Sequence, residues 1–252
     1  MLFRSPLAAI RIAAGTLRDP ATELDPIARL SAAAQIEADA DRLSRLVSSL
    51  LDLSRIESGA IVLDRQWYGV DELVSDTVLR TPSLSGRAVE VASPDNLPPV
   101  KLDYLLIQQA LANLLDNAAR YAPAGSPIRV EAHVCPPSIA LMERPGHHTE
   151  VHLRVIDRGP GVPESARARV FDPFYRAGGS GKRQGESPSG AGYGLAVCAG
   201  FVQAHGGRCW VEETPGGGAT FVIALPFDSG EIDAIDETLR QVPATGGAPV
   251  SP

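Results

Sequence analysis

Hydrophobic periodicity changes once along the chain, near residue 60, from a helical spacing to short alternating runs, and this switch dictates two parts of different class. Before it, Leu7, Ile10, Ala14 and Leu17 recur at three-four spacing between residues 4 and 18, forming one apolar stripe of a helix. The segment from Asp19 to Pro26 reads as a turn, and Asp25 followed by Pro26 is an N-cap with proline at the first helical position. A second helix is predicted from there to about Ser58-Gly59. Ile36, Leu43, Leu46, Leu50 and Leu53 give it a heptad-like seam, so the pair makes an antiparallel hairpin. At about 1.5 Å rise per residue the second arm outruns the first by roughly 20 Å. The seam from Leu43 to Ile56 then has no partner in the hairpin. Since buried apolar residues are what stabilise a long helix, three expectations follow: a partner chain in a helical bundle, missing sequence upstream of Met1, or packing on the following domain.

From about Gln66, Val89-Glu90-Val91, Ile128-Arg129-Val130, Val151 to Val155 and Phe221 to Leu225 read as strands, alternating with helical patterns at 70–80, 104–121 and 193–205. Such a mixture predicts a sheet covered by helices on one face, an α/β sandwich, and an α+β chain as a whole. The expected division is a helical hairpin over 1–60, a catalytic-type domain over 66–227 and a tail over 228–252 that is partly disordered. Cys135 to His148 reads as a hairpin excursion. Ala177 to Gly190, rich in Gly and Ser with Lys182 and Arg183, reads as a mobile lid.

Charge and cysteine usage narrow the function classes. With 23 basic against 30 acidic residues the net charge is -7, which argues against a nucleic-acid partner. Cys135, Cys198 and Cys209 are scattered with no CxxC pair, so reduced thiols are expected and a zinc site is not. No apolar run approaches the roughly 20 residues that span a bilayer, and no signal-peptide pattern opens the chain, so it is expected to be soluble and cytoplasmic.

Three clusters carry chemistry. Asn113 and Asn117 stand one helical turn apart, with Arg120 and Tyr121 beside them. An amide oxygen is a hard neutral ligand suited to Mg²⁺, and a guanidinium can neutralise phosphate. Paired asparagines can equally just solvate a helix. Asp157-Arg158-Gly159-Pro160-Gly161 follows the apolar strand 151–156. A carboxylate at a strand end can accept a hydrogen bond from an exocyclic amine while glycines let backbone approach a flat base, although such a run also serves as an ordinary turn. Gly190-Ala191-Gly192-Tyr193-Gly194-Leu195 opens a helix, where glycine-rich backbone amides form an anion site. A strand does not directly precede it, so it is not the dinucleotide fingerprint.

In this order the clusters resemble the N, G1 and G2 boxes of the GHKL superfamily of ATP-binding domains, which have the Bergerat fold. Val170-Phe171-Asp172-Pro173-Phe174-Tyr175-Arg176 is similar to the F box of histidine kinases, and Ala204-His205-Gly206-Gly207 and Gly217-Gly218-Ala219-Thr220-Phe221 sit where that family has similar residues. The likeness runs from residue 4 to about 227. Leu43 to Trp67 and Asn113 to Tyr121 look most like the Kdp-type potassium-responsive sensor kinases. The resemblance implies a cytoplasmic kinase core that binds Mg²⁺ and ATP, dimerises through its hairpin as a four-helix bundle and signals to a response regulator. It implies that Asn117 coordinates Mg²⁺, with Asn113, Arg120 and Tyr121 around the nucleotide. Asp157 would bind the adenine amine, Gly159 and Gly161 would shape the base pocket, and Thr220 would line the adenine side. Gly190, Gly192, Gly194 and Leu195 would hold the phosphates, and Phe174 would anchor the lid. His133, His147, His148 and His152 are expected to serve surface or packing roles, and His205 to cap a helix end.

The family's phosphoacceptor opens a motif of the form His-acid-x-Arg-Ser/Thr-Pro-Leu. Here the matching stretch is Met1-Leu2-Phe3-Arg4-Ser5-Pro6-Leu7, so methionine stands at the histidine position and leucine at the acid. A thioether and an alkyl chain supply neither nucleophile nor orienting base. The resemblance therefore predicts a truncated hairpin without its phosphoacceptor, whereas Ser5 retains the hydroxyl position used for dephosphorylating the partner. Two further readings stand beside the kinase core. One is a degenerate, non-catalytic nucleotide-binding module. The other is a hydrolytic ATPase resembling gyrase, HSP90 or MutL, which would need a carboxylate where this chain has Asn113.

Overall fold

The structure is a computed structural model that describes residues 4–18, 25–94, 97–135, 149–175 and 192–227. Met1, Gly190, the stretch 136–148, the lid and the tail lie outside the described residues. The chain divides into two units, one of Met1–Val62 with Pro163–Phe201, the other of Leu63–Val162 with Val202–Pro252.

In the first unit, α1 spans Arg4–Arg18 and α2 spans Pro26–Glu57. Ser5 lies in the first turn of α1. The Asp25 side chain accepts a hydrogen bond from the Ala28 N–H at 2.6 Å, and Pro26 occupies the first turn, as the local sequence requires. The seam is only partly covered. Leu46 and Leu53 are buried, but Leu50 is 43% and Leu51 56% exposed. Of the three expectations for the seam from Leu43 to Ile56, packing on a later segment of the chain is seen at its end, where Ile56 meets Gly200. A Cβ at Gly200 would overlap the Ile56 side chain, so it is glycine's missing side chain that lets the two meet. The short helix α5, Glu164–Arg167, and most of α6, Gly194–Ala204, belong to this unit.

In the second unit, β1 (Gln66–Tyr68) and β3 (Val100–Leu102) form a two-stranded antiparallel sheet. A five-stranded sheet runs in the order β2 (Val89–Ala92), β4 (Ile128–Cys135), β5 (Thr149–Ile156), β7 (Ala219–Phe227), β6 (Arg208–Glu213). Among the described strands of this sheet only β2 and β4 pair in parallel; the remaining pairs are antiparallel. β1 and β3, three residues each, are too short to show alternation, and β6, although six residues long, is not among the strands predicted from the sequence. Strand alternation sorts the residues of β4 and β5 onto two faces. Ile128, Val130, Ala132, Val151, Leu153 and Val155 form the buried inner face. Against this sheet pack α3 (Val70–Arg80) and α4 (Tyr104–Tyr121). On α4, Ile107, Leu111, Leu114 and Leu115 have no exposed surface, each contributing about 1.5–3 kcal/mol over leaving it in water. The outer face carries Arg129, Glu131, His133, Glu150, His152, Arg154, Trp210 and Glu212 as polar or amphipathic neighbours.

Candidate nucleotide site

Helix α4 is fixed at both ends, which positions its polar face. At its start Asp103 caps the helix through Oδ1, which accepts from the Leu106 N–H at 3.3 Å. The backbone N–H of Asp103 in turn donates to His205 Nε2 at 3.0 Å. His205 is buried, and its ring holds the start of α4 rather than merely ending α6. At the other end the Arg87 guanidinium donates to the carbonyls of Ala119, Pro123 and Ser126 at 3.0–3.3 Å, meeting the orphan acceptors of a helix C-terminus with a cation. The sequence reading missed Arg87 because its partners lie more than 30 residues away.

Between these ends Asn113 and Asn117 are half-buried, one turn apart, and Arg120 and Tyr121 are exposed beyond them. Asp116 accepts from the Ser83 hydroxyl at 2.5 Å, which turns it away from the asparagine face. A carboxylate is therefore not supplied to that face by Asp116.

Asp157 directly follows β5 and is 2% exposed. Its Oδ1 accepts from the Gly159 N–H at 2.7 Å and the Ala219 N–H at 3.2 Å. Among the described hydrogen bonds none engages Oδ2, so that oxygen is available to an amine. Burial pushes the Asp157 carboxyl above its usual range, and the two backbone N–H groups only partly offset this. The glycines around it permit backbone-to-backbone packing. A Cβ at Gly159 would stand 2.8 Å from the Tyr121 carbonyl oxygen, joining the end of α4 to this turn. At Gly218, with φ of +111°, a Cβ would overlap the Asp157 carbonyl, and the conformation itself excludes other residues. Gly161 approaches the same Gly218 carbonyl. Thr220 pairs with Ile156 across the strands, is buried, and bonds Thr214 through its hydroxyl at 2.9 Å. Asp157, Gly159, Gly161, Tyr121 and Thr220 are thus brought together. Arg158, which donates to the Pro215 carbonyl at 2.6 Å, pins the neighbouring hairpin and was not singled out from sequence.

In the first unit the F-box segment and the glycine-rich helix start are joined. The Phe174 N–H donates to the Gly192 carbonyl at 3.1 Å, and the Phe174 ring meets Tyr193 edge-on with centroids 4.7 Å apart. Phe174 adopts a φ of +66°, a strained conformation for an aromatic residue, and Gly192 at φ +77° lies too close to residues 174 and 175 for a side chain. Phe174 is 58% exposed while Tyr193 is buried. Gly194 and Leu195 begin α6 half-exposed, with helix amides at an end suited to anions.

Residues 102–229 match the family model described as Histidine kinase-, DNA gyrase B-, and HSP90-like ATPase, and residues 3–59 match that of the His Kinase A (phospho-acceptor) domain. Sensor protein KdpD of Escherichia coli is 34% identical over 226 residues, 89% of this chain and 23% of that protein. Sensor histidine kinase WalK of Bacillus subtilis is 32% identical over 238 residues, 93% of this chain and 36% of that protein. The chain spans about a quarter to a third of the length of these relatives. Among solved structures, full-length ShkA in complex with AMPPNP is similar at a TM-score of 0.63 and 28% identity, over 90% of this chain and 44% of that one. The histidine kinase AdeS of Acinetobacter baumannii shares the fold at a TM-score of 0.64 and 22% identity, over 88% of this chain and 95% of that one. Among the described residues no helix is long and apolar enough to cross a membrane. Matched by both modules in the order hairpin then ATPase, and by relatives of Kdp type, the chain belongs to the sensor histidine kinase family.

Proposed function

We propose that this chain is the kinase core of a two-component sensor, that it binds Mg²⁺-ATP, and that it directs the γ-phosphoryl group to a histidine on a hairpin and so to a response regulator. The observation that carries this reading is Asp157, a buried carboxylate with one oxygen tied to two backbone N–H groups and the other left for an adenine amine. A buried acid just past the end of a strand is costly, and a base-recognition role accounts for that cost. Asn117 would hold the metal, which supplies charge neutralisation to the phosphates, with Asn113, Arg120 and Tyr121 beside it. Gly192, Gly194 and Leu195, with Gly190, would present amides to the phosphates, and Phe174 would tether the lid. The proposed division is 1–60, 66–227 and 228–252. Phosphoryl transfer of this kind is mostly positioning, and Asn113 in place of a carboxylate argues against activation of water.

A second reading is favoured by one observation: every histidine lies at residue 133 or later, so residues 1–60 hold none, and Met1 stands where the family's motif has its phosphoacceptor. On that reading the chain is a nucleotide-binding, dimerising regulator that acts on a partner, with Ser5 alone retained from the phosphatase machinery. Calorimetry tests the shared part. Asp157→Asn and Asn117→Asp are each expected to weaken Mg²⁺-ATP binding at least tenfold, on the order of 1.4 kcal/mol, and unchanged affinity in both would overturn the site. Phosphotransfer from labelled ATP to an intact hairpin supplied in trans separates the two readings: labelled histidine supports the kinase core, and silence despite binding supports the regulator.

A further inference from the structure

The outer face of the five-stranded sheet carries a cluster that the nucleotide site does not use. His133 and Cys135 are two residues apart on β4 and so share a face, and the antiparallel register sets His152 opposite His133 and Glu150 opposite Cys135. The four side chains therefore stand at the corners of a rectangle. The Cys135 sulfur is 3.2 Å from His152 Nδ1, and one nitrogen from each histidine and this sulfur all lie within 4.8 Å of one another. His152 is buried and its ring is held edge-on by Trp210, with centroids 5.2 Å apart.

We propose that His133, Cys135 and His152 form a binding site for a borderline transition-metal dication of the zinc type. Tetrahedral bonds of about 2.0–2.3 Å place neighbouring donors roughly 3.3–3.8 Å apart, so the three ligands need shifts of about 1 Å or less to close on one ion. A thiolate with two imidazoles selects zinc-like ions over Mg²⁺ and Ca²⁺, which take oxygen donors. The atoms point the right way. His152 Nε2 lies 2.9 Å from Glu150 Oε2, so its proton sits on that side, and the Nδ1 lone pair faces the Cys135 sulfur. Glu150 thereby plays the part of the carboxylate that orients a metal-bound histidine through its second nitrogen. It is itself fixed by Arg208, which donates to the same oxygen at 2.8 Å. The neighbouring cations are already paired: Arg208 with Glu150, and Arg154 with Glu212 at 2.9 Å. In the metal-free cluster the thiol proton is shared toward Nδ1. Binding replaces that proton by the metal, forming sulfur–metal and nitrogen–metal bonds and releasing one proton to solvent. His133 faces an open groove shared with Ala92, Ser93, Pro94 and Glu131, which gives an ion a path to it.

The test uses the full chain without nucleotide, titrated with Zn²⁺ and, as a spectroscopic probe, with Co²⁺. One equivalent of zinc is expected, and cobalt should show intense tetrahedral ligand-field bands with a thiolate charge-transfer band. Cys135→Ser abolishes the charge-transfer band, His152→Ala and Cys135→Ser each weaken zinc binding at least about tenfold, and Glu150→Gln weakens it by about 10–100-fold. Cys209→Ser changes nothing, and neither does replacing His147 and His148. A second measurement needs no variant: one equivalent of Zn²⁺ slows alkylation of Cys135, mapped by peptide mass spectrometry, at least about tenfold while Cys209 is unaffected. The proposal is overturned by octahedral cobalt with no thiolate band, by undiminished binding in Cys135→Ser, or by alkylation of Cys135 at the same rate with and without zinc. Each of those outcomes would leave a thiol–imidazole hydrogen bond that only packs the sheet face.

Discussion

Asp157 carries a cost that the fold itself does not require. Its carboxyl pKa is raised by burial, so the folded protein holds the proton more tightly than the unfolded chain, where aspartate titrates near about 3.9. The group therefore favours folding below the unfolded value, and that contribution is lost as pH rises through the raised folded value. At neutral pH a desolvated charge remains. Asp157→Asn removes the charge yet keeps an oxygen for the Gly159 and Ala219 N–H groups. Its urea midpoint is expected to gain on the parent's as pH goes from about 4 to 7, while its nucleotide affinity falls. A gap that stays constant across that range would show that burial of this carboxylate is cost-free.

At the scale of elements, α4 is the part on which the nucleotide reading depends, and neither of its ends is held by local residues alone. Asp103 caps it locally, but His205 and Arg87 reach it from distant segments. Arg87→Ala removes a charged donor from several carbonyls at once, so a loss of about 1–3 kcal/mol is expected in urea unfolding. Because Arg120 and Tyr121 occupy the last turn beside those carbonyls, the same variant should weaken Mg²⁺-ATP binding more than it alters the far-ultraviolet helix signal. Affinity equal to the parent's would mean that the last turn keeps its geometry without the clamp.

At the scale of the whole molecule, the hairpin presents apolar surface that a solitary chain has no reason to keep. Val47, Leu50 and Leu51 on α2, with Leu7 and Ile12 on α1, are each more than two-fifths exposed. A second copy of the hairpin, completing a bundle, would bury them. Sedimentation is expected to show a dimer, and Leu50→Glu with Leu51→Glu to give a monomer with unaltered nucleotide affinity. A monomeric parent protein at tens of micromolar would sink that assembly.

Much of this protein follows from sequence because the signals are local. The proline and aspartate at the start of α2, the three-four stripe of α4 and the apolar strand leading into Asp157 are read from neighbours within a few residues, and the structure has α3 and α4 at the predicted residues 70–80 and 104–121. The glycines near Asp157 were also legible as a group, though not the reason for each: only the folded chain shows Gly218 lying against the Asp157 carbonyl and Gly159 against Tyr121. Arg87 and His205 act across distances that no periodicity encodes. The sharpest case is the zinc-type cluster, which cysteine spacing argued against. Ligand spacing along a chain detects only sites made by one turn, whereas His133, Cys135 and His152 meet because strand register aligns residues 17 positions apart. Local chemistry was determined by the sequence itself, and long-range juxtaposition was decided by the tertiary structure, since pairing of β4 with β5 depends on the whole sheet's burial and not on the residues it brings together.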